Sequence, residues 1–139
     1  MKFWDSSAIV PLVVEEPSSL AMRDELKDDG DVVVWWATSV ECVSALVRSS
    51  RTGRIADEAP AIARLDRIAR LWREVEPAPE IRDAARRLIR VHDGLRAAHA
   101  IQLGAALAVA EQRPSSIGFV CLDDRLKAAA DREGLRVRP

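Results

Sequence analysis

The chain has 139 residues, a formal net charge of −1, 48% apolar and 31% charged residues, the balance of one soluble folded domain and not of a disordered or fibrous chain. No apolar run approaches the roughly 18 residues that span a bilayer, and Asp5 interrupts the first apolar stretch, so no secretory signal is read and the expected compartment is the cytoplasm. Cys42 and Cys121, the only cysteines, offer neither a disulfide framework nor a zinc spacing and read as buried free thiols.

Met1–Trp4 reads as a first strand that stops at Asp5-Ser6-Ser7, with Ser6 or Ser7 able to cap the helix that follows. Ala8–Val14 is a short apolar helix with Pro11 tolerated in its first turn. Pro17-Ser18-Ser19 restarts the chain, and Leu20–Asp28 is amphipathic at helical spacing through Leu20, Met22 and Leu26. After the turn Asp29-Gly30-Asp31, the run Val32-Val33-Val34-Trp35 suits a buried parallel strand. Thr38 or Ser39 can cap the next helix, which carries Glu41 in its first turn and ends near Thr52-Gly53.

Ile55–Trp72 repeats apolar residues at helical spacing, and Glu74–Pro77 forms a short strand or an extended connection. Glu80–Val91 is a helix with an arginine-rich outer side. His92-Asp93-Gly94 breaks the pattern, with His92 expected in an exposed loop and Asp93 as a cap. Leu95–Ala110 is an alanine-rich helix whose Gly104 implies close packing. Ile117–Leu122 is a second buried strand ending at Asp123-Asp124. Arg125–Glu133 is a short helix stopped by Gly134, and Leu135–Val137 is a last strand. Strands alternating with helices predict an α/β fold with a mainly parallel sheet.

Charge is spread unevenly. Residues 1–47 carry a net −6, residues 48–96 a net +4 and residues 97–139 a net +1, and arginine supplies eighteen of the twenty-one basic residues. An acidic first third beside a basic middle can bring carboxylates close to a phosphate-binding rim, or the arginines can simply dot solvated helix faces. Arg48, Arg51 and Arg54 follow Glu41 on or just beyond its helix and can meet phosphates, with a solvated or dimer-facing role equally open. Trp35 and Trp36 read as packing in or beside the core.

Two strands end in a carboxylate, Asp5 and Asp123, and a third, Glu41, opens the helix after Val32–Trp35. Ligands of open α/β sheets gather outside the carboxyl ends of the strands. If the three strands are neighbours, the three acids converge there, and their mutual repulsion either raises their pKa values or is relieved by a divalent cation such as Mg²⁺ or Mn²⁺. Each acid also has a plainer reading: Asp5 and Asp123 as helix caps, Glu41 as a first-turn residue complementing the helix dipole.

Met1-Lys2-Phe3-Trp4-Asp5-Ser6-Ser7-Ala8-Ile9-Val10 resembles the opening of PIN-domain ribonucleases of the VapC toxin type. Val40-Glu41-Cys42-Val43-Ser44-Ala45-Leu46 resembles their second acidic motif, and Leu95 to Leu103 their third. Phe119-Val120-Cys121-Leu122-Asp123-Asp124-Arg125-Leu126, followed by Glu133-Gly134-Leu135, resembles the fourth. The four motifs stand in order over essentially the whole chain. The resemblance implies a PIN-like three-layer fold across residues 1–139 and a metal-dependent endoribonuclease using Mg²⁺ or Mn²⁺. It further implies the toxin of a type II toxin–antitoxin pair, with RNA as substrate, a small antitoxin as partner and a homodimer as the assembly.

Carried over residue by residue, Asp5, Glu41 and Asp123 are metal-site acids, and Ser7 is a small polar residue fixing the first of them beside the substrate. His99 stands where the family has Asp. It lines the site as a weak ligand or a phosphate-facing donor, and imidazole suits Mn²⁺ better than Mg²⁺. Two other readings follow from this departure and from the caps: a catalytically weakened module that binds RNA or an antitoxin, and a small α/β protein whose strand-end acids are caps alone.

Overall fold

The computed structural model describes residues 1–111 and 113–139, and among these the chain forms five strands and seven helices. The strands are β1 (Lys2–Trp4), β2 (Val32–Trp35), β3 (Arg73–Val75), β4 (Gly118–Val120) and β5 (Arg136–Arg138). They pair in the order β3-β2-β1-β4-β5, every pair parallel. The helices are α1 (Ser6–Val13), α2 (Ser19–Asp28), α3 (Thr38–Arg51), α4 (Ala59–Ala69), α5 (Pro79–Val91), α6 (Ala97–Val109) and α7 (Asp124–Arg132). The expected α/β fold with a parallel sheet flanked by helices is therefore present.

Alternation along the strands divides the core in two. Phe3, Val33 and Phe119 point to one face, where they join Leu88 of α5, Leu103 of α6 and Leu126 of α7. Trp4, Val34 and Val120 point to the other, where they join Ile9 of α1, Met22 of α2, Leu46 of α3 and Leu65 of α4. The period of two sends neighbouring residues to opposite faces, and both faces are covered, so the three central strands are continuously apolar except for Lys2. Register sets Phe3 opposite Val33 and Phe119, and the two phenyl rings stack with centroids 5.8 Å apart.

On the α5–α6–α7 side the two longest neighbours pack closely because α6 presents small residues. A β-carbon added at Gly104 would stand 3.0 Å from the Ile81 carbonyl oxygen of α5. This is the close approach that Gly104 and the alanines around it predict. At the amino-terminal edge of the sheet, Lys2 Nζ is buried and donates to Glu25 Oε2 at 2.9 Å and Asp28 Oδ2 at 2.8 Å, while Arg138 also reaches Glu25.

Several local expectations are corrected. The helix expected from Ala8 begins at Ser6, because Asp5 and not a serine is its cap, so Pro11 lies in the second turn. The helix expected over Ile55–Trp72 is confined to Ala59–Ala69: Asp57 Oδ1 takes the Ala59 N–H at 3.0 Å and turns the chain just before it. Neither Thr38 nor Ser39 caps α3, whose cap position is Ala37. Asp93 does not cap α6; Arg96 holds that position without a side-chain cap bond, and the chain reaches it through Gly94 at φ +72°. His92 is buried, with Nε2 2.7 Å from Glu133 Oε1 of the α7 end. Trp36 is half exposed, whereas Trp35 packs against the core. Both cysteines are buried and free, as expected.

Candidate active site

Because β2, β1 and β4 are adjacent, the segments leaving their carboxyl ends lie side by side. Asp5 leaves β1, Asp123 leaves β4, and α3, entered from β2, brings in Glu41. The first turn of α6 adds His99. All four line one open cleft of about 670 Å³, together with Ser7, Glu16, Arg48 and Arg54. Arg51, on the same helix as Arg48, does not line it; Arg54, beyond the helix end, does.

Asp5 is 2% exposed. Its Oδ2 accepts the Ser7 N–H at 2.9 Å and the Ser7 hydroxyl at 2.5 Å. The same hydroxyl accepts the Leu122 N–H at 2.9 Å. Ser7 thus ties the end of β1 to the end of β4 and fixes the rotamer of Asp5. The other oxygen, Asp5 Oδ1, is buried with no hydrogen-bond partner, a costly state for a carboxylate oxygen that a cation would relieve. Asp123 caps α7, its Oδ1 accepting the Leu126 N–H at 2.8 Å. Cap and cleft-lining acid are therefore the same residue in both places; the two readings of these acids do not compete.

Glu41 is oriented by Gln102, whose Nε2 donates to Oε2 at 2.6 Å. Burial, with the Asp5 charge adding to it, holds the Glu41 carboxyl above its ordinary range against hydrogen bonds from Ser6 and Gln102. His99 Nδ1 lies 3.8 Å from Asp123 Oδ1 and, like Asp5 Oδ1, is buried without a hydrogen-bond partner. Beneath the acids, Cys121 Sγ lies 3.8 Å from Asp5 Oδ2, its thiol pushed up to about 12 by burial and by the Asp5 charge. It is a protonated, weakly donating floor and not a nucleophile.

Gln102 is the residue that reading the sequence passed over. It is fully buried, and its place three residues after His99 puts both on one side of α6. A single amide in an alanine-rich helix, three residues after His99, was the available signal. Among the described residues no three His, Cys, Asp or Glu side chains are set closely enough to hold a metal ion unaided. The donor set suits a hard cation that keeps several of its waters, as Mg²⁺ does.

The family model described as PIN domain matches residues 2–130. PIN domains are generally nucleases and generally use divalent metal ions. Among solved structures, VapC20 of Mycobacterium tuberculosis, a Sarcin-Ricin loop cleaving toxin, superposes with a TM-score of 0.67 at 19% identity over 100% of both chains. PAE2754 of Pyrobaculum aerophilum superposes with a TM-score of 0.62 at 24% identity over 92% of this chain and 83% of its own. No curated protein matches the sequence significantly. At these identities the superpositions show a shared fold, and no helix among the described residues is long and apolar enough to cross a membrane. With the family match running over nearly its whole length, the chain belongs to the PIN domain family.

Proposed function

We propose that this chain is a metal-dependent endoribonuclease, the toxin of a type II toxin–antitoxin pair, acting on RNA in the cytoplasm as a homodimer held in check by a small antitoxin. The observation that carries the reading is the buried, unpartnered Asp5 Oδ1 facing a cleft that also holds Glu41, Asp123 and two arginines. Asp5 and Asp123 would hold Mg²⁺ or Mn²⁺, with Glu41 contributing through water. When bound, such a cation neutralises phosphodiester charge and makes a water more acidic. Glu41 Oε1 takes the proton of the attacking water, a role that suits a carboxyl raised above its ordinary range. Gln102 holds Glu41 in place for this. Ser7 keeps Asp5 from turning away, and His99, beside Asp123, serves as a weak ligand or as a phosphate-facing donor. Arg48 and Arg54 contact neighbouring phosphates. Water attack leaves a 5′-phosphate and a 3′-hydroxyl.

The test is cleavage of a structured RNA in Mg²⁺ and in Mn²⁺. Wild-type protein cleaves, faster in Mn²⁺ because His99 replaces an oxygen donor, and Asp5→Asn abolishes cleavage while keeping the fold. Metal-independent cleavage, or cleavage surviving in Asp5→Asn, refutes the reading. A second reading, a binding module with weakened catalysis, is favoured by the absence of a tight three-ligand cluster among the described residues. It predicts that wild-type protein binds RNA without cutting it. His99→Asp then gains Mg²⁺ affinity by ~10–100-fold, together with cleavage.

A further inference from the structure

The acidic cleft does not end at His99. A second recess of about 350 Å³ shares His99, Leu122 and Asp123 with it and is otherwise walled by Arg96, Arg125 and Asp124, the last paired with Lys127 at 3.2 Å. Arg48 and Arg54 stand in the first recess and Arg96 and Arg125 in the second, and His99 and Asp123 line both. Arg125 leans toward the turn that precedes α6: its Nη1 is 3.9 Å from where a β-carbon on Gly94 would be. That brings it to the same rim as Arg96, the cap residue of α6.

The placement of these two arginines is not one that the helix dipoles favour. Several other basic residues occupy last turns, where the helix dipole favours them: Lys27 in α2, Arg48 and Arg51 in α3, Arg67 in α4, Arg90 in α5 and Arg132 in α7. Arg96 and Arg125 instead sit at the starts of α6 and α7. There the dipole opposes a cation, and among the described residues neither has an acidic partner within salt-bridge distance. Both are exposed, so core packing does not explain them.

We propose that Arg96 and Arg125 form a second phosphate-binding subsite, so that a single RNA strand lies across the acids and is gripped on both sides of the bond to be cut. The inference rests on the nuclease reading above and extends it by naming the path of the substrate. Base identity plays no part: the contacts are to the sugar–phosphate backbone, and they set register while leaving sequence choice to other residues.

The test uses full-length protein carrying Asp5→Asn, so that binding is read without cleavage, and a fluorescent twelve-nucleotide polyuridine as probe. For a single strand, the slope of log Kobs against log salt changes by about 0.7 per phosphate contact. Arg96→Ala with Arg125→Ala should flatten the slope by about 1.4 units. Arg48→Ala with Arg54→Ala should flatten it similarly, and the four together should approach the sum. Arg96→Lys with Arg125→Lys should restore most of the slope. Arg136→Ala, at the opposite edge of the sheet beside Met1 and Lys2, should leave it unchanged. An unchanged slope in the Arg96/Arg125 pair, in a protein whose wild type cleaves RNA, overturns the subsite and leaves the nuclease reading standing. If the Asp5→Asn protein does not bind polyuridine and the wild type does not cleave RNA, both fail together.

Discussion

Removing the Ser7 hydroxyl isolates the contact that joins the two acid-bearing strand ends. In Ser7→Ala the backbone bond to Asp5 survives, but Asp5 Oδ2 loses the hydroxyl donor at 2.5 Å and the Leu122 N–H loses its acceptor at 2.9 Å. A hydrogen bond to an ionised group contributes about 1.5–3 kcal/mol, and an unpaired, partly buried N–H costs about 1 kcal/mol more where water does not replace the oxygen. The expected loss is therefore about 2–4 kcal/mol. For a chain of this length that is a fall in Tm of about 6–12 °C. Urea denaturation should show a lower midpoint at unchanged slope, since the surface exposed on unfolding is the same. A double-mutant cycle with Asp5→Asn should give a coupling of about 1–2 kcal/mol. Cleavage should fall in parallel, because Asp5 gains rotamer freedom at the mouth of the cleft. A stability loss below about 0.5 kcal/mol, or strict additivity with Asp5→Asn, would refute the view that Ser7 clamps these strand ends.

Three further outcomes follow from other parts of the molecule. Gly104→Ala forces a β-carbon to 3.0 Å from the Ile81 carbonyl oxygen, and the α5–α6 pair should lose about 1–3 kcal/mol by chemical denaturation; a neutral effect would mean that the helices slide apart freely. Lys2→Met leaves Glu25 with Arg138 alone and should cost about 3 kcal/mol at neutral pH. Burial alone would raise Glu25, but hydrogen bonds from Lys2 and Arg138 hold it below its ordinary value of 4.5. Its contribution is thus present above that value and is lost as pH falls through the lowered one, so the gap between wild type and variant, followed by thermal melts, should narrow in acid. Glu41 behaves in the opposite sense. Its pKa is raised in the fold, so its contribution is full at low pH and is lost as pH rises through the raised value. Glu41→Gln should therefore raise the Tm of the metal-free protein at neutral pH and not in acid, while abolishing cleavage; a pH-independent gain would sink the assignment.

The strands and most helices were readable because their causes are local. Val32–Trp35 is apolar at every position and became a strand with the bounds read for it, and Gly104 among alanines announced a close helix contact. Asp5 and Asp123 could be named as helix caps or site acids from their places after apolar strands. What one-dimensional reading could not decide was which strands are neighbours. Only the order β3-β2-β1-β4-β5 sets β2 and β4 on either side of β1, and with them Glu41 and Asp123 on either side of Asp5. His92 is buried for the same kind of reason: its partner Glu133 is 41 residues away, and nothing near it in the chain signals burial. Ser7 joins Leu122 across 115 residues, Gln102 joins Glu41 across 61, and Arg96 and Arg125 line one recess only in the folded chain. Local pattern determines where the chain turns and which face of each element is apolar. The pairing of side chains distant in sequence depends on the closure of long loops and on the order in which parallel strands assemble, and that information resides in the packed whole.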